Sequence, residues 1–101
     1  MSYQYQLHEI AQQEYEASVI WYLERSVTAA ENFTQAVERT IEKICENPKR
    51  WHNKYKNYYE LGLAKYPFKI IYTVDEVFKI ITITAIYHQK RNPRKKYSRK
   101  R

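Results

Sequence analysis

At Asn47-Pro48 the hydrophobic period of this chain changes from that of a helix to that of a strand. A period of 3.6 lays an apolar stripe along a helix, and a period of 2 lays one face of a strand against a core, so the two halves must fold differently. Upstream, Ala11, Tyr15, Val19 and Tyr22 fall four, four and three apart, with Ile10, Ala17, Ile20 and Trp21 widening the stripe. That spacing predicts a helix of several turns beginning after His8. Ser26-Val27-Thr28 interrupts it. Thr28 followed by Glu31 has the form of a capping box and predicts that a second helix starts there. Ala30, Phe33, Val37, Ile41 and Ile44 give the second helix its apolar face, and Asn47-Pro48 ends it. Two helices joined this closely form an antiparallel hairpin. Ahead of them, residues 3–7 alternate aromatic or apolar residues with Gln and predict a short strand.

Downstream of Pro48, residues 49–57 show no period and read as a loop. Residues 58–63, 68–74 and 78–87 are rich in aromatic and β-branched residues and predict three strands. Lys65-Tyr66-Pro67 marks a turn before the second of them, since proline cannot donate to a ladder. In the third, alternation puts Ile81, Ile83 and Ala85 on one face and Ile80, Thr82, Thr84 and Ile86 on the other. Short links make these strands an antiparallel meander. The expected fold class is α+β: an N-terminal strand and a helix hairpin packed on a three-to-four-stranded, mainly antiparallel sheet. One domain over residues 1–90 accounts for the pattern, with residues 91–101 a basic, flexible tail. Tyr72 is expected in the core, Trp21 and Tyr22 at the helix–sheet contact, and Cys45 as a small packing residue.

Charge divides at the same place. Residues 1–48 hold eight glutamates and only Arg25, Arg39 and Lys43 as cations, whereas residues 49–101 hold fifteen Lys/Arg against Glu60, Asp75 and Glu76. The basic half also carries most of the aromatic residues. Cations interleaved with aromatic faces suit a polyanion or a large acidic partner. The single glycine, Gly62, rules out a glycine-cradled phosphate loop, so no nucleotide cofactor is expected. His8 and His52 stand alone without a second ligand at useful spacing, so no metal is expected. A lone Cys45 forms no internal disulfide and fits a reducing cytoplasm. The opening residues have neither a basic start nor an apolar run, and no stretch approaches the length of a membrane span. A cytoplasmic location without membrane contact is the expectation.

Several stretches in this order resemble the RelE/ParE superfamily of bacterial toxin proteins. They are residues 10–15 (IAQQEY) at the first helix opening, the aromatic pair Trp21-Tyr22, the helix end Ile44-Cys45-Glu46-Asn47-Pro48, the strand at 65–74 (KYPFKIIYTV), and the exit carrying His88 and Arg91-Asn92-Pro93. The resemblance covers about residues 3–97. It implies the toxin of a type II toxin–antitoxin pair, neutralised by a small cognate antitoxin that covers its active surface.

Two activities are open within that resemblance. RelE-type members cleave mRNA on the ribosome by attack of a ribose 2′-hydroxyl on the adjacent phosphate, which needs cations on the phosphate and a general acid and base. The residues implied for that role are Lys69, His88, Arg91 and Tyr97. Glu60 and Gly62 fall where the resemblance implies two lysines on the preceding strand. ParE-type members bind DNA gyrase and block its cycle, and the Tyr87-His88 exit followed by Arg91 sits closer to that branch. Lys65, Lys69, Arg91, Arg94, Lys95 and Lys96 are then the expected partner-binding residues. Gyrase inhibition is the leading expectation, with ribosome-dependent mRNA cleavage as its alternative. A third reading, from charge alone, is a non-toxic basic adaptor that binds RNA or DNA.

Overall fold

The structure is a computed structural model and describes residues 3–90. In chain order the elements are β1 (Gln4–Leu7), α1 (Glu9–Leu23), α2 (Val27–Glu46), β2 (His52–Tyr55), β3 (Tyr58–Gly62), β4 (Phe68–Asp75) and β5 (Ile80–His88). The sheet order is β1-β5-β4-β3-β2. β2 to β5 are antiparallel neighbours, and β1 runs parallel to β5 at the far edge. The expected α+β class, helix hairpin and three-strand meander are all present.

The helix starts follow local chemistry. His8 caps α1 by accepting the Ile10 N–H at its Nδ1. α2 starts one residue earlier than Thr28. Ser26 is extended, and its Oγ accepts from the Ala29 N–H at 2.9 Å, so Ser26 is the cap and no capping box forms at Thr28. The hydroxyl at 26 reaches the first free N–H groups before Thr28 can. α2 then ends at Asn47, ahead of Pro48, as expected.

Both helices lie on one face of the sheet and share a single core. From α1 it takes Ala11, with Tyr15, Val19 and Tyr22 half-buried beside it. From α2 it takes Phe33, Val37, Ile41, Ile44 and Cys45, and from the sheet Leu63, Phe68, Ile70, Tyr72, Ile81, Ile83 and Ile86. Phe33 is its aromatic centre, 4.7 Å from the ring of Tyr22 and 5.0 Å from that of Phe68. Tyr72 is fully buried, and its hydroxyl donates to the Pro48 carbonyl at 2.7 Å, tying the helix exit to β4. The expected Trp21–Tyr22 packing pair divides: Tyr22 joins the core, while Trp21 is exposed under the Arg25 guanidinium.

Three expectations are corrected. Residues 52–55 are not loop but edge strand β2, wholly exposed. With no face buried, its side chains have no hydrophobic period to reveal it. Phe78 lies in the β4–β5 turn rather than in a strand. Asp75 Oδ1 accepts from the Val77 and Phe78 N–H groups, and Lys79 takes a positive φ of 59°, so pairing resumes only at Ile80. Alternation along β5 also breaks. Ile71 pairs with Ala85 and Tyr72 with Ile83, leaving Thr84 as an extra residue in a β-bulge. Ile81, Ile83 and Ile86 therefore face the helices, and Ala85 and Tyr87 face the other way with Ile71. Beyond the bulge, the Ile86 N–H donates to Glu14 Oε1 of α1 at 2.9 Å.

Candidate functional site

The sheet face turned away from the helices holds the candidate site. Register places Tyr58, Glu60 and Gly62 of β3, Lys69, Ile71 and Thr73 of β4, and Ala85 and Tyr87 of β5 on this face. Ile71, Ala85 and Tyr87 are buried in a small second cluster with Tyr58 beside it. Next to this cluster sits a charged group of three. Lys69 Nζ is 2.8 Å from Glu60 Oε2, and Lys54 Nζ of β2 is 3.7 Å from Glu60 Oε1.

The arrangement follows from register. Gly62 stands directly across from Lys69 and offers no side chain, so the lysine stem lies diagonally toward Glu60, two residues along β3. The Glu60 side chain is only 3% exposed, against 35% for Lys69. Oε2 is charge-paired at contact distance, whereas the Lys54 ammonium stands beyond hydrogen-bond range of Oε1. The hydrogen bond to Glu60 raises the Lys69 pKa above its ordinary value, outweighing its partial burial. Lys69 is thus an ammonium in the neutral range, held against a carboxylate.

His88 is elsewhere. It pairs with Phe68, one residue out of phase with Lys69 and Tyr87, and its ring stands edge-on to Phe68 at 5.1 Å on the helix side of the sheet end. Its Nδ1 accepts from the Lys90 N–H at 3.2 Å. The structure therefore puts His88 and Lys69 on opposite faces. Lys65 is exposed at the tip of the β3–β4 turn with a φ of 70°, a left-handed conformation that a lysine rarely adopts. Arg91, Arg94, Lys95, Lys96 and Tyr97 lie outside the described residues.

Sequence reasoning singled out Glu60 as a departure but missed its partners. Lys54 sits in the segment taken for a loop, and the Lys69–Glu60 contact depends on a register that sequence leaves open. The available signal was opposite charges on adjacent predicted strands. Chemically, a nearly buried carboxylate against one ammonium, with a second nearby, engages the cations that a phosphate would otherwise draw. Displacing it would strand a buried anion.

No described helix is long and apolar enough to cross a membrane. Sequence comparison with curated proteins finds no significant match. Solved structures share the fold. The chromosomal ParDE toxin–antitoxin system of P. aeruginosa matches with a TM-score of 0.72 at 15% identity, covering 86% of this chain and 96% of that one. An arginine-to-alanine double mutant of E. coli RelE toxin in the free state matches with a TM-score of 0.67 at 15% identity, covering 97% and 93%. The toxin–antitoxin complex RelBE2 from Mycobacterium tuberculosis matches with 0.60 at 11% identity, covering 87% and 99%. A family profile described as "ParE toxin of type II toxin-antitoxin system, parDE" matches residues 5–93, nearly the whole chain. With the strand, helix hairpin and meander already in place, that match decides the family: this chain belongs to the ParE toxins of type II toxin–antitoxin systems.

Proposed function

We propose that this toxin works by protein recognition, binding DNA gyrase and blocking its cycle, and that a cognate antitoxin neutralises it. The observation that carries the reading is Glu60. A nuclease of this fold would need cations aimed at a scissile phosphate. Here Lys69 and Lys54 are turned onto a buried carboxylate, and His88 projects from the other side of the sheet. That separation removes the shared pocket a general base and a phosphate-binding lysine would require. Antitoxin pairing is supported by the family match and by the toxin–antitoxin complexes among the structures sharing the fold. The basic sequence of residues 91–101 suits an acidic segment, with Arg91, Arg94, Lys95 and Lys96 joining Lys65 as contact cations. Such a target and such an antitoxin fit a cytoplasmic protein.

Parallel assays separate the readings. Purified toxin is added to gyrase supercoiling relaxed plasmid, and to translating ribosomes carrying a defined mRNA. Supercoiling should stop and the mRNA should stay intact. Cleaved mRNA with unimpaired supercoiling would replace this reading by ribosome-dependent cleavage, and His88→Ala would then be the first variant to make.

A further inference from the structure

The two edges of the sheet are not alike. β2, at one edge, carries Lys54, with Lys56 just beyond it, and its register shifts between Asn53 and Tyr55. Lysines and bulges of this kind keep an edge from pairing with another chain. β1, at the other edge, has neither. Residues 3–7 (YQYQL) hold no charge and no proline, and their register against β5 is unbroken from Gln4 to Leu7. The Gln4 N–H donates to the Lys79 carbonyl at 3.0 Å and the His8 N–H to the Ile83 carbonyl at 2.8 Å. Alternation therefore turns the main-chain groups of Gln4 and Gln6 toward β5 and those of Tyr3, Tyr5 and Leu7 outward. The Tyr3 N–H is taken by the Cys45 carbonyl at 2.9 Å. Tyr5 is left in the middle with no outward main-chain partner among the described residues, and it is 50% exposed. α1 follows β1 directly but packs mainly on β5, so it leaves this edge open. Beside the edge, Val77 and Phe78 of the β4–β5 turn are exposed, and a cavity of about 350 Å³ lies between Phe78, Ile80, Gln4 and Gln6.

The edge is its own complement. A twofold axis at Tyr5 sets a second β1 antiparallel to the first, with Tyr5 against Tyr5, Gln4 against Gln6 and Tyr3 against Leu7. Tyr3 and Leu7 lie on the helix-covered side, where both pack against the core, so aromatic and aliphatic side chains meet there and amides meet on the open side. Although the chain carries a net charge of +7, no like charges face each other across residues 3–7. The Tyr5 N–H and carbonyl of each copy satisfy those of the other. The Leu7 N–H reaches the Tyr3 carbonyl across the axis, which leaves the Tyr3–Cys45 bond undisturbed. A strongly charged segment, acidic or basic, finds no counter-charge among residues 3–7, so charge favours a neutral strand like β1 itself. We propose that β1 is a pairing edge for a second copy of this chain, joining two five-stranded sheets into one across a twofold axis at Tyr5. Phe78 of each copy then packs over the Gln6 stem of the other and closes the cavity beside the edge. Glu60 and Lys69 stand on strands β3 and β4, away from the joint, so monomer and dimer present the same candidate site. The proposal holds whichever target the toxin acts on.

The test is sedimentation equilibrium of the full chain over a range of concentrations. The parent should show a concentration-dependent equilibrium between monomer and dimer. Tyr5→Pro removes an outward N–H that the ladder to β5 does not use. Tyr5→Lys sets two ammonium groups against each other at the axis. Each should raise the dimer dissociation constant about tenfold or more, a loss of about 1.4 kcal/mol. A urea midpoint near the parent's confirms that the variant monomers stay folded. Tyr55→Ala, at a similarly exposed position on the β2 edge, should leave the equilibrium unchanged. Tyr5→Cys should form a disulfide-linked dimer on mild oxidation, whereas the parent, whose Cys45 is buried, should not. A parent that is monomeric at its highest soluble concentration would overturn the proposal. So would a dimer that survives both Tyr5→Pro and Tyr5→Lys, a dimer lost on Tyr55→Ala, or a Tyr5→Cys chain that does not cross-link.

Discussion

The two faces of the sheet are built on different principles. The helix-covered face is built mainly from apolar side chains, and aromatic rings from α1, α2 and β4 meet there around Phe33. The open face has a much smaller apolar cluster of Ile71, Ala85 and Tyr87, with a buried carboxylate and two lysines set beside it. Burial on the first face is non-directional and drives folding. On the second, the ion pair adds little net stability, since a buried pair is weak evidence for stability and costly to break one-sidedly. The comparison teaches that the face with the smaller apolar cluster holds the more closely constrained charges.

The largest effect should come from the covered face. Phe33→Ala removes a fully buried ring that packs against four other aromatic residues, and should cost about 3–5 kcal/mol in urea unfolding. A loss below about 2 kcal/mol would mean that α2 is not the organiser of this core.

On the open face, Lys69→Met leaves the Glu60 carboxylate buried with Lys54 alone, at 3.7 Å. A loss of about 1–3 kcal/mol is expected, less than for a fully buried pair because solvent screens Lys69. Adding Glu60→Leu to Lys69→Met should restore most of that loss. A double variant less stable than the single would make the pair a net stabiliser and erase the contrast between the faces.

Tyr72→Phe tests a buried hydroxyl in the covered core. It should cost about 1–2 kcal/mol by orphaning the buried Pro48 carbonyl, visible as a lower urea midpoint at unchanged slope.

The smallest effect is a pH dependence. The Lys69 pKa in the fold lies above its ordinary 10.5, so the stability it brings is fully present below that value and fades as pH climbs through the raised one. Burial raises the Tyr72 pKa as well, but that contribution is common to both proteins and cancels in the difference. The stability gap between the parent and Lys69→Met should be flat through the neutral range and narrow only at strongly alkaline pH. A gap that persists unchanged far above the ordinary lysine range would mean that the Lys69 charge contributes nothing to it.

Much of the fold was legible because burial leaves a period in the sequence. α2 shows this best, since Phe33, Val37, Ile41 and Ile44 all point one way and all are buried. α1 was legible in extent and in its main stripe, since Ala11, Tyr15, Val19 and Tyr22 all pack on the core. Ile20, Trp21 and Leu23 are apolar yet exposed, so composition alone overstates its buried stripe. β2 left no trace because none of its residues is buried. The bulge at Thr84 was invisible for another reason: Thr84 and Ile86 are both reasonable strand residues on either face, and only pairing with Ile71 and Tyr72 chooses.

The candidate site divides the same way. Glu60, Gly62, Lys69 and His88 could each be picked out by residue type. Their relations could not, because a one-residue change of register moves a side chain to the other face of a sheet. By itself, the order of periods, stops and charges along this chain determined an α+β hairpin-and-meander domain, since local patterns follow from which residues must be buried. Only the tertiary structure decided that Lys69 is held by Glu60, that His88 lies across the sheet from it, and that β1 stands at the sheet edge beside β5. Those are distances between residues far apart in the chain, and strand pairing and helix packing set them.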